Sequence, residues 1–200
     1  MSNKVKVNKK PAKRRSVSPD RSAQLGKRVA AGIGVIVVLA IVGVVAFSPE
    51  PLDGVPDGTE TVEVGAPQHV EGDIHDENEV PAGGEHNPRW LNCGYYPERV
   101  EAEFAVHSLE HGAVWITYSP SIGDTAVEQL RRHVGRLEKV IVSPVDELDS
   151  PILLTAWGQQ LGVDEADDER IEQFVNEFAG SPDAPEPGGA CTGGVGSPVL

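Results

Sequence analysis

Residues 106–118 read VHSLEHGAVWITY, and the hydrophobic period changes halfway along them. Before the glycine the period is helical. Val100, Phe104, His107 and His111 recur at spacings of four, three and four, which puts them on one face and predicts a helix over 98–111. Gly112 is a natural C-terminal cap, because glycine takes a left-handed backbone without a Cβ clash. Ala113–Tyr118 is β-branched and aromatic, the composition of a strand. A helix that passes through one glycine into a strand sets His107 and His111 beside the edge of a core.

Working outward, Thr125-Ala-Val-Glu128 has the form of a capping box and predicts a second helix. Its apolar face is Val127, Leu130, Val134 and Leu137. Val140–Ser143 and Ile152–Trp157 read as strands, each with proline at an end, where proline is tolerated. Asp167 or Asp168 can cap a last helix with the stripe Ile171, Phe174, Val175 and Phe178, ended by Gly180. Upstream, His69–His75 alternates polar with apolar or Gly and predicts a short edge strand. Val70 and Ile74 would face inward, with His69, Glu71, Asp73 and His75 outward. Val80–Asn92 is rich in turn residues and reads as a folded loop. The order predicts an α+β domain: a small antiparallel or mixed sheet with two to three helices. The expected core is Val114, Ile116, Leu130, Ile141, Leu153, Trp157, Phe174 and Phe178.

The formal net charge of -14 hides a strong asymmetry. Residues 1–28 hold ten Lys or Arg and one acid, whereas residues 29–200 hold 7 basic and 30 acidic residues. The acidic part should repel nucleic acid, so DNA and RNA binding are discarded. Between the two lies Val29–Phe47, 19 residues without a charge. As a helix they would extend about 28 Å, near the thickness of a bilayer's hydrocarbon core. Basic residues flank only one side, which keeps the N-terminus in the cytoplasm. The expected order is a basic cytoplasmic tail (1–28), one transmembrane helix (29–47), an acidic Pro/Gly linker (48–67), an extracytoplasmic domain (68–195) and a loose tail (196–200). The membrane is then one partner, and a protein of the cell envelope is the other one expected.

Both cysteines, Cys93 and Cys191, fall in the exported part. An even count in an oxidising compartment reads first as a disulfide. The alternative is a reactive or metal-binding thiol at Cys93. Five of the six histidines lie within 69–111. His107 and His111, four apart on a helix, can reach one ion. A metal site needs three or four ligands, and His86 or His69 is the natural supplement; the leading set is His86, His107 and His111, expected to converge beside the strand Ala113–Tyr118, with His69 or Glu110 as a further donor. Neutral imidazole suits zinc or copper. The competing account is a buried structural histidine with a surface carboxylate. His107-Ser-Leu-Glu110-His111 also fits H-x-x-E-H, in which two histidines hold zinc and the glutamate serves as general base. Phosphate loops, dinucleotide fingerprints and G-x-S-x-G are missing from the sequence.

Four strings together resemble one family. They are Asn92-Cys-Gly-Tyr95, the stretch 106–118 quoted above, Thr155-Ala-Trp-Gly158 and Cys191-Thr-Gly-Gly194. The resemblance is to the bacterial "domain of unknown function 3105", common in exported proteins of high-GC Gram-positive bacteria, and covers about residues 68–195. The family usually has Pro-Pro-x-Ser-Gly-x-His before its Asn-Cys-Gly. Here the stretch is Val80-Pro-Ala-Gly-Gly-Glu-His86, so the histidine is kept and Gly83 replaces the serine. The resemblance implies one fold and an envelope location, and it names no reaction. Three functions stay open: a metal-binding module, a non-catalytic envelope interaction module, and a metal-dependent hydrolase.

Overall fold

The computed structural model describes residues 54–135 and 139–199. The basic segment, the apolar run Val29–Phe47 and Leu137 lie outside the described residues. Among the described residues no helix is long and apolar enough to cross a membrane.

Six strands form a mixed sheet in the order β1-β8-β7-β5-β6-β4. They are β1 (Glu60–Thr61), β4 (Gly94–Tyr95), β5 (Val114–Tyr118), β6 (Val140–Pro144), β7 (Ile152–Ala156) and β8 (Gln159–Val163). β5 and β4 run parallel to β6, and the β5–β7, β7–β8 and β8–β1 pairs are antiparallel. A two-stranded parallel ladder of β2 (Gln68–His69) and β3 (Glu85–His86) stands apart from this sheet. The helices are α1 (Ala102–Glu110), α2 (Asp124–Arg131) and α3 (Glu169–Phe178). The α+β class and the mixed sheet agree with the sequence.

Alternation along the central strands divides the core in two. Val114, Ile116, Val140, Val142, Ile152 and Leu154 pack with Leu130 of α2 and with Ile171, Phe174 and Val175 of α3. Trp115 and Ile141 point the other way, against Ala105 and Leu109 of α1. That second face also carries polar atoms, for the Trp115 indole N–H donates to Ser143 Oγ at 3.0 Å. Each fully buried Ile, Leu or Phe contributes about 1.5–3 kcal/mol, so the central sheet holds the domain together. Leu153, Trp157 and Phe178, expected in the core, are only half-buried. Phe178 still stacks on Phe174, with centroids 4.5 Å apart.

Several local expectations need correction. α1 begins at Ala102 rather than at 98, so Val100 packs from the preceding loop. α2 has no capping box: its N-cap is Gly123, with φ 84°, and no side chain caps it. The chain arrives through a 3-10 turn at Pro120–Ile122, so Thr125 is already inside the helix, where its hydroxyl cannot act as N-cap. The edge strand read over 69–75 ends at His69, and Gly72 turns the chain at φ 115°. His69 and His75 therefore part company. β8 went unforeseen; it follows β7 through the two-residue turn Trp157-Gly158. Part of the acidic stretch read as linker is ordered structure, since Glu60 and Thr61 pair with β8. At the other end, Val199, in the stretch read as a loose tail, donates its N–H to Tyr95 O at 2.8 Å.

Candidate metal centre

The end of α1 builds the site. Gly112 takes φ 87°, and its N–H reaches Leu109 O while that of Ala113 reaches Ser108 O, both at 2.8 Å. This is the paired bonding of a Schellman cap. It stops the helix one residue before His111 and turns the chain into β5, as the sequence predicts. His107 and Glu110 sit on the last turn and His111 is the C-cap residue. Lys139, whose ammonium burial pushes down, donates to the His111 carbonyl.

Three buried imidazoles are held alike. His86 Nδ1 donates to Gly84 O at 2.8 Å, His107 Nδ1 to Asn87 O at 2.6 Å, and His111 Nδ1 to Ala190 O at 2.6 Å. A carbonyl can only accept, so each Nδ1 carries the proton. In the neutral ring Nε2 is then a bare lone pair. Metal-bound histidines are characteristically oriented by such bonds from the other nitrogen.

Three imidazole nitrogens, two of them these lone pairs, converge on one carboxylate oxygen. Glu110 Oε2 lies 3.0 Å from His86 Nε2, 3.6 Å from His69 Nε2 and 4.0 Å from His107 Nε2. One ligand atom from each of His69, His86, His107 and Glu110 falls within 4.8 Å of all the others. Four bonds of ~2.0–2.1 Å in a tetrahedron set ligand atoms roughly 3.3 Å apart, so only small side-chain shifts are required. His69 comes from the short ladder, where it pairs in register with His86. Its ring stacks on His107, with centroids 4.9 Å apart.

Burial is graded across the cluster. The His86 side chain is 0% exposed, those of His107 and Glu110 are 4% and 5%, and that of His69 is 48%. Burial holds His107 below the usual histidine range; the bond to Asn87 opposes this, and the neighbouring imidazoles reinforce it. Burial thus favours the neutral form of His107, the form that ligates metal. Two tryptophans wall the cluster. Trp157 meets His86 edge-on at 5.9 Å, and Trp90 lies 5.9 Å from His107 and 5.3 Å from His111. The Trp157 ring is so close to Gly83 that a Cβ there would stand 2.9 Å from it. Gly83 itself has φ 150°.

The remaining predicted residues divide. His86, His107, His69 and Glu110 come together. His111 is not one of the four, although its Nε2 lies 3.1 Å from His107 Nε2. Cys93 and Cys191 stand as a disulfide pair with Cα atoms 5.3 Å apart, so neither thiol is a ligand. The bridge ties the C-terminal segment across the end of α1. That segment brings Glu186, whose Oε2 is 3.6 Å from His111 Nε2 and to which no spacing or motif pointed. A cavity of about 630 Å3 lined by Arg89, Tyr96, Arg99 and Phe104 includes none of the four donors.

Comparison with known proteins reaches this chain at the level of family. No curated protein and no solved structure matches the chain. The family described as "Protein of unknown function (DUF3105)" matches residues 69–193, which contain all four donors, Glu186 and both cysteines. That span is more than half of the chain, and the chain belongs to this family.

Proposed function

We propose that this is a membrane-anchored extracytoplasmic domain that binds one divalent metal ion through His69, His86, His107 and Glu110. One observation carries the metal reading. His86 Nε2, a lone pair in the neutral ring, faces the Glu110 carboxylate at 3.0 Å. Two acceptors do not approach so closely unless a metal ion or a proton lies between them, and the neighbouring nitrogens of His69 and His107 supply the further donors that a metal ion needs. Three imidazoles and one carboxylate suit zinc or copper(II). The membrane part rests on the apolar run Val29–Phe47 and its one-sided basic flank.

The rival account puts a second proton on His86. The pair with Glu110 is then a buried salt bridge, and the domain is a structural or interaction module. The hydrolase reading draws less support. Glu110 is buried against His86 and serves better as a ligand than as a base facing water.

Metal analysis separates these accounts. The purified full-length chain, dialysed against zinc, should retain one ion per chain. His107→Ala should retain none, and Ser108→Ala should retain one. A wild-type chain without metal would leave the salt-bridged module as the better account. For the anchor, protease added outside intact cells should remove the domain. Protection of the acidic domain would reverse the orientation.

A further inference from the structure

The C-terminal segment carries a second set of donors that the four-ligand cluster does not use. His111 Nε2 lies 3.1 Å from His107 Nε2 and 3.6 Å from Glu186 Oε2. Both imidazoles give their Nδ1 proton to a carbonyl, at Asn87 and Ala190. The facing Nε2 atoms are therefore two lone pairs at a distance where they repel, unless a cation or a proton lies between them. Such a pair, with a carboxylate beside it, is a place for an ion.

The segment is fixed there by several devices. Glu186 N–H donates to Glu110 O at 2.9 Å, so the residue is pinned to the end of α1. Gly189 lies flat against His111, and a Cβ at that position would overlap the ring. The disulfide holds the next turn, because Cys191 is bonded to Cys93. His111 can thus swing little, and its lone pair stays directed at His107. The Glu186 side chain, by contrast, is 58% exposed, so this end of the site is open to water.

We infer that His111 and Glu186 form an outer metal station through which the ion reaches the buried cluster, with His107 shared between the two. This rests on the metal reading of the inner cluster. An imidazole nitrogen has one lone pair and holds one ion at a time, so the two sets cannot both be filled through His107. The ion first meets Glu186 and His111, losing part of its water shell, and binds His107. It then exchanges Glu186 and His111 for Glu110, His86 and His69 without leaving His107. Only coordination bonds are made and broken, and no electron is transferred. A stepwise exchange avoids the bare ion that a single jump into a buried site would require.

A station of this kind speeds exchange in both directions and leaves the inner affinity unchanged. The test uses the full-length chain and Co2+, whose visible absorption reports tetrahedral ligation. Equilibrium titration gives Kd, stopped-flow mixing gives the loading rate, and excess chelator gives the release rate. Glu186→Gln should slow loading and release together by about tenfold, the low end of what a charged inlet does to an on-rate. Its Kd should match that of the wild type, and Glu186→Asp should recover most of the rate. His111→Asn should slow both rates further. Equal rates in wild type and Glu186→Gln would overturn the station, leaving His111 and His107 as a pair that shares a proton. Weakened Kd with unchanged loading would also overturn it, by making Glu186 an ordinary ligand. A wild-type chain that binds no Co2+ would remove the inner site itself, an outcome separate from the other two.

Discussion

The two faces of the central sheet are built on different rules. On one, α2 and α3 cover Val114, Ile116, Ile152 and Leu154 with Leu130, Ile171 and Phe174, all apolar. On the other, α1 covers Trp115 and Ile141 with Ala105 and Leu109, then ends in a buried group of three imidazoles and a carboxylate. Apolar burial has no direction and tolerates exchange of shape. A buried charge needs its partners and costs much when one is removed. The first face therefore supplies stability. The second uses some of that stability to hold donors that repel one another in the absence of a cation.

The contrast breaks if a cavity on the apolar face disturbs the donors. Phe174→Ala should cost about 3–5 kcal/mol, read as a shift in urea midpoint, while one metal ion per chain is retained. Loss of metal from the folded variant would show that the faces are coupled. Reducing the Cys93–Cys191 bridge comes next. The loop it closes spans a sequence separation of 98, and its loss should cost about 2–5 kcal/mol in thermal or urea unfolding. Because the bridge holds Ala190 against His111, reduction should also change Trp90 emission, since that ring lies 5.3 Å from His111. Unchanged emission would place the C-terminal segment independently of the bridge.

How much of this was legible depended on the range of the interactions. The turn from α1 through Gly112 into β5 is local chemistry, and 106–118 displays it fully. The Asp168 cap of α3 is equally local: its Oδ1 accepts from Arg170 N at 2.9 Å. β1, β2, β3 and β4 are two residues each, too short to show a period. β8 reads Gln-Gln-Leu-Gly-Val and lacks the β-branched composition of its neighbours, so only its pairing with β7 makes it a strand. In the site, the structure replaces His111 of the expected set by His69 and Glu110, whereas His86 and His107 were visible from spacing. The leading place of His69 was not, because it depends on the register of a ladder whose strands are separated by a long loop. Glu186 was invisible for a stronger reason. The cysteines say that two segments meet, but not which side chain then faces His111.

A smaller effect separates donor from scaffold within the polar face. Ser108 Oγ donates to Leu91 O at 2.8 Å, in the middle of the helix that carries the cluster. Ser108→Ala leaves that buried carbonyl without its donor and should cost about 1–3 kcal/mol. Metal affinity should stay within a factor of about two, since the hydroxyl is oriented away from the donors toward Leu91. A large loss of affinity would mean that α1 itself shifts when this bond is lost.

The smallest expected effect compares the faces by acid titration. Glu103, on α1, is buried, which alone would raise its carboxyl, but its own backbone N–H and those of Ile74 and His75 outweigh burial and hold it below the usual carboxylate value. Asp168, on α3, is held low first by its side-chain bonds to Arg170. In each case the folded pKa lies below the unfolded one. The stabilisation is then fully present above the unfolded pKa and is lost as pH falls through the folded one. Urea midpoints of the wild type should decline over the acid range, from about pH 5 downward. Glu103→Gln and Asp168→Asn should each flatten part of that decline, and the double variant should flatten it by the sum, since the residues lie on opposite faces of the sheet and share no bond. A double variant less flattened than the sum would show that acid acts on both faces through one shared opening of the domain, and the division into two independent cores would fail there.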